Sequence, residues 1–338
     1  MPKIARTIAH QAHVGELALI RSIRQRAPNV SLGQVRLGIG DDCALLRPRP
    51  GEEFAVTTDL SIAGRHFTLA THPPESIGHR AIARGLSDLA AMGARPVAAF
   101  VSLAVPQELS SEWTNRFYDG LLRLAQAHKT TLAGGDLSEA PIPLADIVLV
   151  GSVPAGKALL RSGARPGQIL YVTGALGGSA AGLAKLAEES DSDRKVSNRR
   201  RSSNADAALA LHLYPQPRIA QGLWLRKRGI ATAAIDLSDG LSTDLTHLCE
   251  ESHVAAEIDA QLLPIHPSAT LEQALSGGED YELLFTAPEL TRVPRSIAGV
   301  PVTQIGRILR RGGKRATVTL KTAQGARPLQ PTGWQHFV

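Results

Sequence analysis

Short runs of β-branched and other apolar residues alternate along this chain with longer stretches in which apolar positions recur every three or four residues. That alternation is the signature of mixed α and β layers packed on each other. The short runs predict strands over 35–39, 54–58, 97–103, 145–150, 169–173, 233–236, 256–258 and 281–286. The amphipathic stretches predict helices over 75–92, 109–128, 178–189, 216–228, 240–252 and 268–275, several of them bounded by Pro or Gly. Residues 151–167 (GSVPAGKALLRSGARPG) concentrate Gly and Pro between two apolar strands, as a connector does. They divide the chain into an N-terminal domain, 1–152, and a C-terminal domain, 153–338.

Composition agrees with a globular chain. The 338 residues give a prior of two domains at about 150 residues each. With 43% hydrophobic and 20% charged residues, the chain can bury a sizeable core. No apolar run approaches the roughly 20 residues of a membrane-spanning helix, and the N-terminal MPKIARTIAHQAH has no continuous apolar stretch of the kind a secretory signal needs. The cytoplasm is the expected compartment, with no membrane partner. Cys43 and Cys249 are far apart and lack ligand-like spacing, so neither a disulfide framework nor a structural zinc site is expected.

Charge changes the picture only locally. Lys and Arg number 37 against 31 Asp and Glu, a net +6, which raises the question of a nucleic-acid partner. The excess gathers in 189–204 (ESDSDRKVSNRRRSSN), read as an exposed loop, and in 307–315 (RILRRGGKR), read as a turn between two late strands with Gly312 and Gly313 at the bend. Neither run has interleaved aromatics, and aromatic residues make up 4% of the chain, so base-stacking platforms are scarce and no nucleic-acid partner is expected.

The candidate chemistry is acidic. Carboxylates stand beside glycine or at strand ends in GDD (40–42), TTD (57–59), GGD (134–136), DLSDG (236–240) and GGED (277–280). A single Asp beside Gly is commonly a cap or turn residue, but five such motifs together are poorly explained that way. Carboxylates at neighbouring strand ends converge only with a cation among them, because clustered like charges resist ionisation. Mg²⁺ suits such a site: it takes hard oxygen ligands, keeps several waters and bridges carboxylates to nucleotide phosphates. Asp88, on the predicted helix 75–92, shares a stripe with Ala81, Gly85 and Met92 and can reach such a cluster from the helix side. Its ordinary alternative is an exposed pair with Arg84, four residues earlier.

Two nucleotide motifs are near misses. GSVPAGKA (151–158) has the GxxxxGK skeleton, but Ala158 lacks the metal-binding hydroxyl and Pro154 removes an N–H from the cradle. In GIGDD (38–42) the two acids would repel a bare pyrophosphate. GALGGS (174–179), between a predicted strand and a helix, is a better phosphate candidate, although turn geometry explains its glycines equally well.

These residues resemble the thiamine-monophosphate kinases, within the superfamily of aminoimidazole-ribonucleotide synthetase. The resemblance runs through GIGDDCALL (38–46), TTDLSIAGRHF (57–67), ARGLSDLAAMGARP (83–96), AGGD (133–136), RSGARPG (161–167), VTGALGGSAAGL (172–183), AIDLSDGLSTDL (234–245), SGGEDYELLFT (276–286) and PTGWQHF (331–337), nearly the whole chain. It implies a mixed two-domain α/β architecture of the aminoimidazole-ribonucleotide synthetase type, with an N-terminal mixed sheet and helices and a C-terminal α/β sandwich. It also implies a homodimer built through the N-terminal domains, and ATP-dependent phosphorylation of thiamine monophosphate to thiamine diphosphate. By motif, Asp42, Thr57, Thr58, Asp59, Asp88, Asp136, Asp236 and Asp239 match Mg²⁺-cluster positions, with Asp59, Asp136 and Asp239 central to catalysis. Tyr118, Gly135, Asp136, Arg161 and Ser238 match nucleotide contacts, and His66, Glu279 and Trp334 the thiamine-phosphate site. Without the family match, His66 reads as an ordinary loop histidine and Trp334 as a residue that docks the C-terminus.

The chain departs from the family where Leu137-Ser138-Glu139-Ala140 replaces the usual Thr-Thr-Arg-Gly and where Gly177-Gly178-Ser179 replaces Gly-Asp-Ser. A second enzymatic reading is another ATP-dependent member of the superfamily. A non-enzymatic one is an idle relative that binds polyanions through its basic loops, which predicts steeply salt-dependent binding.

Overall fold

The computed structural model describes residues 16–30, 33–192, 203–312 and 317–334. The N-terminal half contains α1 (Glu16–Arg26), β1 (Val35–Leu37), β2 (Leu45–Leu46), β3 (Glu52–Ile62), α2 (Pro74–Ala91), β4 (Arg95–Val105), α3 (Ser111–Ala127), β5 (Thr131–Glu139) and β6 (Leu144–Pro154). The C-terminal half begins with β7 (Ile169–Thr173), α4 (Gly178–Ser192), α5 (Ser203–Leu213), α6 (Ile219–Arg228), β8 (Ala233–Asp236), α7 (Leu241–Glu251) and β9 (Val254–Asp259). It ends with α8 (Leu271–Ser276), β10 (Leu283–Ala287), β11 (Ser296–Ile297), β12 (Val300–Arg310), β13 (Val318–Thr322) and β14 (Gly325–Pro328).

The N-terminal sheet has the order β3-β6-β4-β5, antiparallel except for the parallel pair β4 and β5, while β1 and β2 form a separate small ribbon. The C-terminal sheet has eight strands in the order β14-β13-β9-β12-β7-β10-β8, with β11 beside β12. The mixed α/β reading of the sequence therefore holds. Among the described residues no helix is long and apolar enough to cross a membrane.

Helix α2 is the centre of the molecule. Ile77, Ala81, Ile82, Leu86 and Leu89 are buried along it, and its neighbour α3 starts at Ser110, whose hydroxyl caps the N–H of Trp113. The two helices touch backbone to backbone: a Cβ at Gly78 would lie 1.9 Å from the carbonyl oxygen of Phe117, and one at Gly120 only 1.8 Å from that of Glu75. The apolar cluster around α2 continues into the other half through Leu225, Ala234, Leu283, Phe285 and Ile297, so one core spans both sheets.

Several elements differ from the sequence reading. Strand β5, TLAGGDLSE, carries no apolar alternation and reads as a loop, yet it is held in register by parallel pairing with β4. Helices α1 and α5 and strand β14 were not apparent in the pattern either, whereas the two late strands expected on either side of the basic run are β12 and β13. Arg307–Arg310 is not a turn but the end of β12, paired with Val254–Glu257 of β9; residues 313–315 of that basic run lie outside the described residues. The connector is shorter than read, because β6 continues through the buried Gly151 to Pro154. Of the basic stretch 189–204, α4 takes residues up to Ser192 and α5 begins at Ser203, while 193–202 lie outside the described residues. Residues 1–15 and the 335–337 end of the C-terminal motif also lie outside them.

Candidate active site

Between the two halves lies a cavity of about 670 Å³. Its acidic end is built from three elements. Residues alternate across a strand, so Thr57 and Asp59 of β3 face α2 while Thr58 and Leu60 face the other way. On α2, Arg84 and Asp88 are four residues apart and share a face. From the C-terminal half come Asp236, the last residue of β8, and the following loop with Ser238 and Asp239.

Hydrogen bonds fix these carboxylates. The Thr57 hydroxyl donates to Asp88 Oδ2, and the Ser87 hydroxyl donates to Asp236 Oδ2 at 2.6 Å. The loop carrying Asp239 is tied down by buried Asp244, whose Oδ2 accepts the N–H groups of Asp239 and Gly240 at 3.1 and 3.0 Å. Arg84 is a loose neighbour of Asp59, with Nε 3.5 Å from Oδ1. Asp59 Oδ2 is buried with no hydrogen-bond partner among the described residues.

The electrostatics is that of crowded, sheltered carboxylates. Burial, reinforced by Asp88, Asp146 and Asp239 against Arg84, pushes the Asp59 carboxyl up to about 6. Burial and the adjacent Asp88 push Asp236 to about 7, opposed by the Ser87 hydrogen bond. Asp88 is raised by burial, and Asp244 by burial together with Asp236 and Asp239. A divalent ion among these groups would reverse the trend by favouring their charged forms. Among the described residues no three His, Cys, Asp or Glu side chains are grouped so as to hold a metal ion on their own. The donors present are carboxylate and hydroxyl oxygens, the hard ligands that Mg²⁺ takes alongside water and phosphate oxygens.

The opposite end of the cavity is mixed. His66 Nδ1 accepts the N–H of Ile62 at 3.0 Å, which leaves the ring proton of the neutral form on Nε2. Glu279, at a left-handed φ of 66°, receives a bidentate pair from Arg80 at 2.8 and 2.7 Å. Although burial opposes ionisation, the Arg80 guanidinium holds the Glu279 carboxyl below the usual range. Trp334 donates its backbone N–H to the carbonyl of Asp239 at 3.1 Å, and its ring, about half exposed, forms part of the wall. Thus Trp334, the last described residue, docks onto the body at the cavity.

The sequence reading passed over Arg80, His72 and His212, and it used Arg84 only as a pairing partner for Asp88. Arg80, Arg84 and Asp88 recur every fourth residue, a helical-face signal that was available. His72 and His212 are buried with their Nε2 atoms 3.3 Å apart. Burial and the charge of Arg80 hold them down, to about 4 and about 3, so both are neutral at pH 7. Nothing in LHLYPQPR (211–218) marks His212 in advance.

Of the eight side chains expected to bind metal, the structure brings some together at the cavity and sets others apart from it. Asp59, Asp88, Asp236 and Asp239 line the cavity, with Thr57 behind Asp88. Asp42 is exposed in the bend between β1 and β2. Asp136 pairs with Ser102, which in turn pairs with Asp146 opposite Leu60 of β3. Asp59 instead shares its level with Ile147, Val101 and Gly135, so Asp136 and Thr58 stand on the outer sheet face and Asp59 on the inner one. Tyr118 is buried on α3, edge-on to Phe117, with its hydroxyl raised by burial and by Asp136. Arg161 is exposed in the connector, where its carbonyl accepts the Ser252 hydroxyl at 2.7 Å.

The phosphate reading of GALGGS (174–179) is corrected outright. The N–H groups of Gly177 and Ser179 donate to the carboxyl oxygens of Asp280 at 2.6 and 3.1 Å, so the donors at the start of α4 are already taken from within the chain, although burial pushes that carboxyl up to about 7.

The chain is similar to known proteins over most of its length. Residues 40–153 match the family described as AIR synthase related protein, N-terminal domain, and residues 165–319 match its C-terminal domain. A curated relative, the thiamine-monophosphate kinase of Escherichia coli (strain K12), is 43% identical over 306 residues, covering 87% of this chain and 90% of the relative. The crystal structure of thiamine-monophosphate kinase from Stenotrophomonas maltophilia K279a superposes with a TM-score of 0.78 at 37% identity, covering 93% of this chain and 98% of that one. The structure of AaThiL complexed with AMPPCP and TMP gives a TM-score of 0.75 at 31% identity over 97% of this chain and all of that one.

Proposed function

Because the chain belongs to the thiamine-monophosphate kinase family, within the AIR synthase related proteins, we infer that it uses ATP to phosphorylate thiamine monophosphate. The product is thiamine diphosphate, the acceptor phosphate oxygen displacing ADP from the γ-phosphorus. The observation that carries this reading is the convergence of Asp59, Asp88, Asp236 and Asp239 on one cavity whose far wall carries His66, Glu279 and Trp334.

The reaction brings two polyanions together, and catalysis depends on charge neutralisation and in-line positioning. The acceptor phosphate is largely ionised near pH 7, so no strong general base is required. We assign Mg²⁺ to Asp59, Asp88, Asp236 and Asp239, with Thr57 fixing Asp88; these residues would hold it, and it would supply neutralisation of phosphate charge. His66 would offer its Nε2 proton to substrate phosphate. The face of Trp334 suits the cationic thiazolium ring, and Glu279, anchored by Arg80, completes the substrate wall.

Asp42, Thr58, Gly135 and Asp136 keep the metal and nucleotide roles that their motifs give them, together with Tyr118, Arg161 and Ser238. The support is partly geometric: Thr58 and Asp136 share the outer sheet face, where Val56 and Leu60 of the edge strand β3 are 63% and 46% exposed. An apolar strip on an edge strand is a natural pairing surface, and we propose that it joins two copies into a homodimer. In this scheme residues 1–152 bind metal and ATP and dimerise, and residues 153–338 complete the active site.

The test is product formation from purified protein with ATP, Mg²⁺ and thiamine monophosphate. Equimolar thiamine diphosphate and ADP, lost with EDTA and in Asp59→Ala, is the expected result. Absence of thiamine diphosphate while ATP still binds would remove the substrate assignment.

A further inference from the structure

We propose that Arg84 is a catalytic residue of this chain whose guanidinium grips the phosphate of the acceptor substrate. The proposal rests on the kinase reading above and deepens it by naming the group that holds the acceptor's anion.

Arg84 is poorly used by its own protein. A guanidinium carries five N–H donors in a planar fork. The contacts of Arg84 among the described residues are two long ones: Nε to Asp59 Oδ1 at 3.5 Å, and Nη1 to the carbonyl of Leu60 at 3.4 Å. Structural arginines of the same molecule look different. Arg80 grips both oxygens of Glu279 at 2.7–2.8 Å, and Arg116 both oxygens of Glu75 at 2.7 and 3.0 Å. Nor does Arg84 take the partner that helical spacing offers it, since Asp88 receives the Thr57 hydroxyl. Its side chain is nonetheless only 21% exposed and forms part of the cavity wall. A sheltered arginine with donors to spare is arranged for a ligand, not for a fold.

Its place selects the ligand. Arg84 feels Asp59 and Asp239 of the acidic end together with Tyr281 and Glu279 of the opposite wall, so it stands where the two ends meet. A phosphate monoester carrying nearly two charges must lie beside four carboxylates in order to react, and needs a cation on its own side. Among the described residues two arginines line the cavity: Arg65 is exposed at the rim and Arg84 is inside with donors to spare, while nearby Arg80 is committed to Glu279. The fork of Arg84 also matches two phosphate oxygens at once.

The test separates the phosphate from the rest of the substrate. Calorimetric affinities for thiamine monophosphate and for thiamine, which shares both rings but lacks the phosphate, are compared in wild type, Arg84→Lys and Arg84→Gln. The expected result is a tenfold or greater loss of thiamine monophosphate affinity in Arg84→Gln, with thiamine affinity and the KM for ATP within twofold of wild type. Arg84→Lys keeps the charge but not the fork and should fall between. Equal losses for both ligands, or an unchanged affinity for thiamine monophosphate in both variants, would overturn the proposal while leaving the kinase reading intact. A wild type that makes no thiamine diphosphate would remove the reading itself and the proposal with it.

Discussion

Replacing Asp59 by Asn should stabilise the metal-free protein at neutral pH and abolish its response to Mg²⁺. Burial and neighbouring carboxylates raise the Asp59 carboxyl from the ordinary 3.8 to about 6. The folded protein therefore holds this proton more tightly than the unfolded chain does. Stability from this group is highest below pH 3.8, falls as pH rises from 3.8 to about 6, and is flat above that. The interval corresponds to ~3 kcal/mol at 1.36 kcal/mol per pH unit, an upper figure because solvent reaches the side chain, which is 22% exposed. Asn carries no charge to bury, and the loose 3.5 Å contact with Arg84 is little to lose. In EDTA at pH 8, Asp59→Asn should be more stable than wild type by about 1–3 kcal/mol in urea unfolding, and at pH 4 the two should coincide. Millimolar Mg²⁺ should then raise the wild-type midpoint and leave the variant unchanged, since an ion stabilises only the state that binds it. A variant less stable than wild type in EDTA at pH 8, or an equal Mg²⁺ response in both proteins, would refute the account of Asp59 as a carboxylate held for a cation.

Three further outcomes follow from the packing and the walls. Gly78→Ala would force a methyl to within 1.9 Å of the Phe117 carbonyl, so a loss of about 3 kcal/mol in chemical denaturation is expected; a loss below 0.5 kcal/mol would show that α2 and α3 can separate freely. Val56→Lys with Leu60→Lys on the outer face of β3 should convert a dimer to a monomer in analytical ultracentrifugation without lowering the unfolding midpoint of the monomer, and an unchanged sedimentation coefficient would place the interface elsewhere. Trp334→Ala should raise the KM for thiamine monophosphate about tenfold, in line with the ~1–2 kcal/mol of a sheltered cation–π contact, while the KM for ATP holds; parallel rises in both would make Trp334 a structural clasp only.

What the sequence disclosed and what it withheld have different physical origins. Asp236, Asp239 and Glu279 drew attention because, although one carboxylate beside glycine is commonly a cap or turn residue, several such motifs together are poorly explained that way, and all three line the cavity. The faces of the N-terminal sheet were not legible. Asp59 and Asp136 look alike in TTD and GGD, and only the register through Ile147 and Val101 puts one inside and the other outside. Strand β5 was invisible because its stability comes from pairing with β4 and not from its own GGD-containing sequence. The turn at 174–179 misled for a related reason. Glycine geometry prepares N–H groups for any anion, and the one that fills the place, Asp280, is about 100 residues further along the chain. Arg84 read as half of a surface pair because spacing cannot distinguish a solvated helix face from one that lines a cavity.

The spacing of Arg80, Arg84 and Asp88 along α2 nevertheless explains why a site made from two halves can be accurate. Arg80 reaches Glu279 and the His212 carbonyl of the C-terminal half, and also accommodates the His66 carbonyl of the N-terminal half at 3.2 Å. Seven residues on, Ser87 donates to Asp236 at the end of β8. Between these two ties lie Arg84 and, one residue beyond, Asp88. Both are therefore held against carboxylates of the other half by a helix whose opposite side is locked to α3 at Gly78 and Gly120. Breaking a sheltered pair such as Arg80–Glu279 costs about 3–5 kcal/mol, so the halves cannot slide past each other cheaply at the cavity. Phosphoryl transfer gains from positions fixed before the substrates arrive, and here the rigidity comes from the core that α2 shares with both sheets.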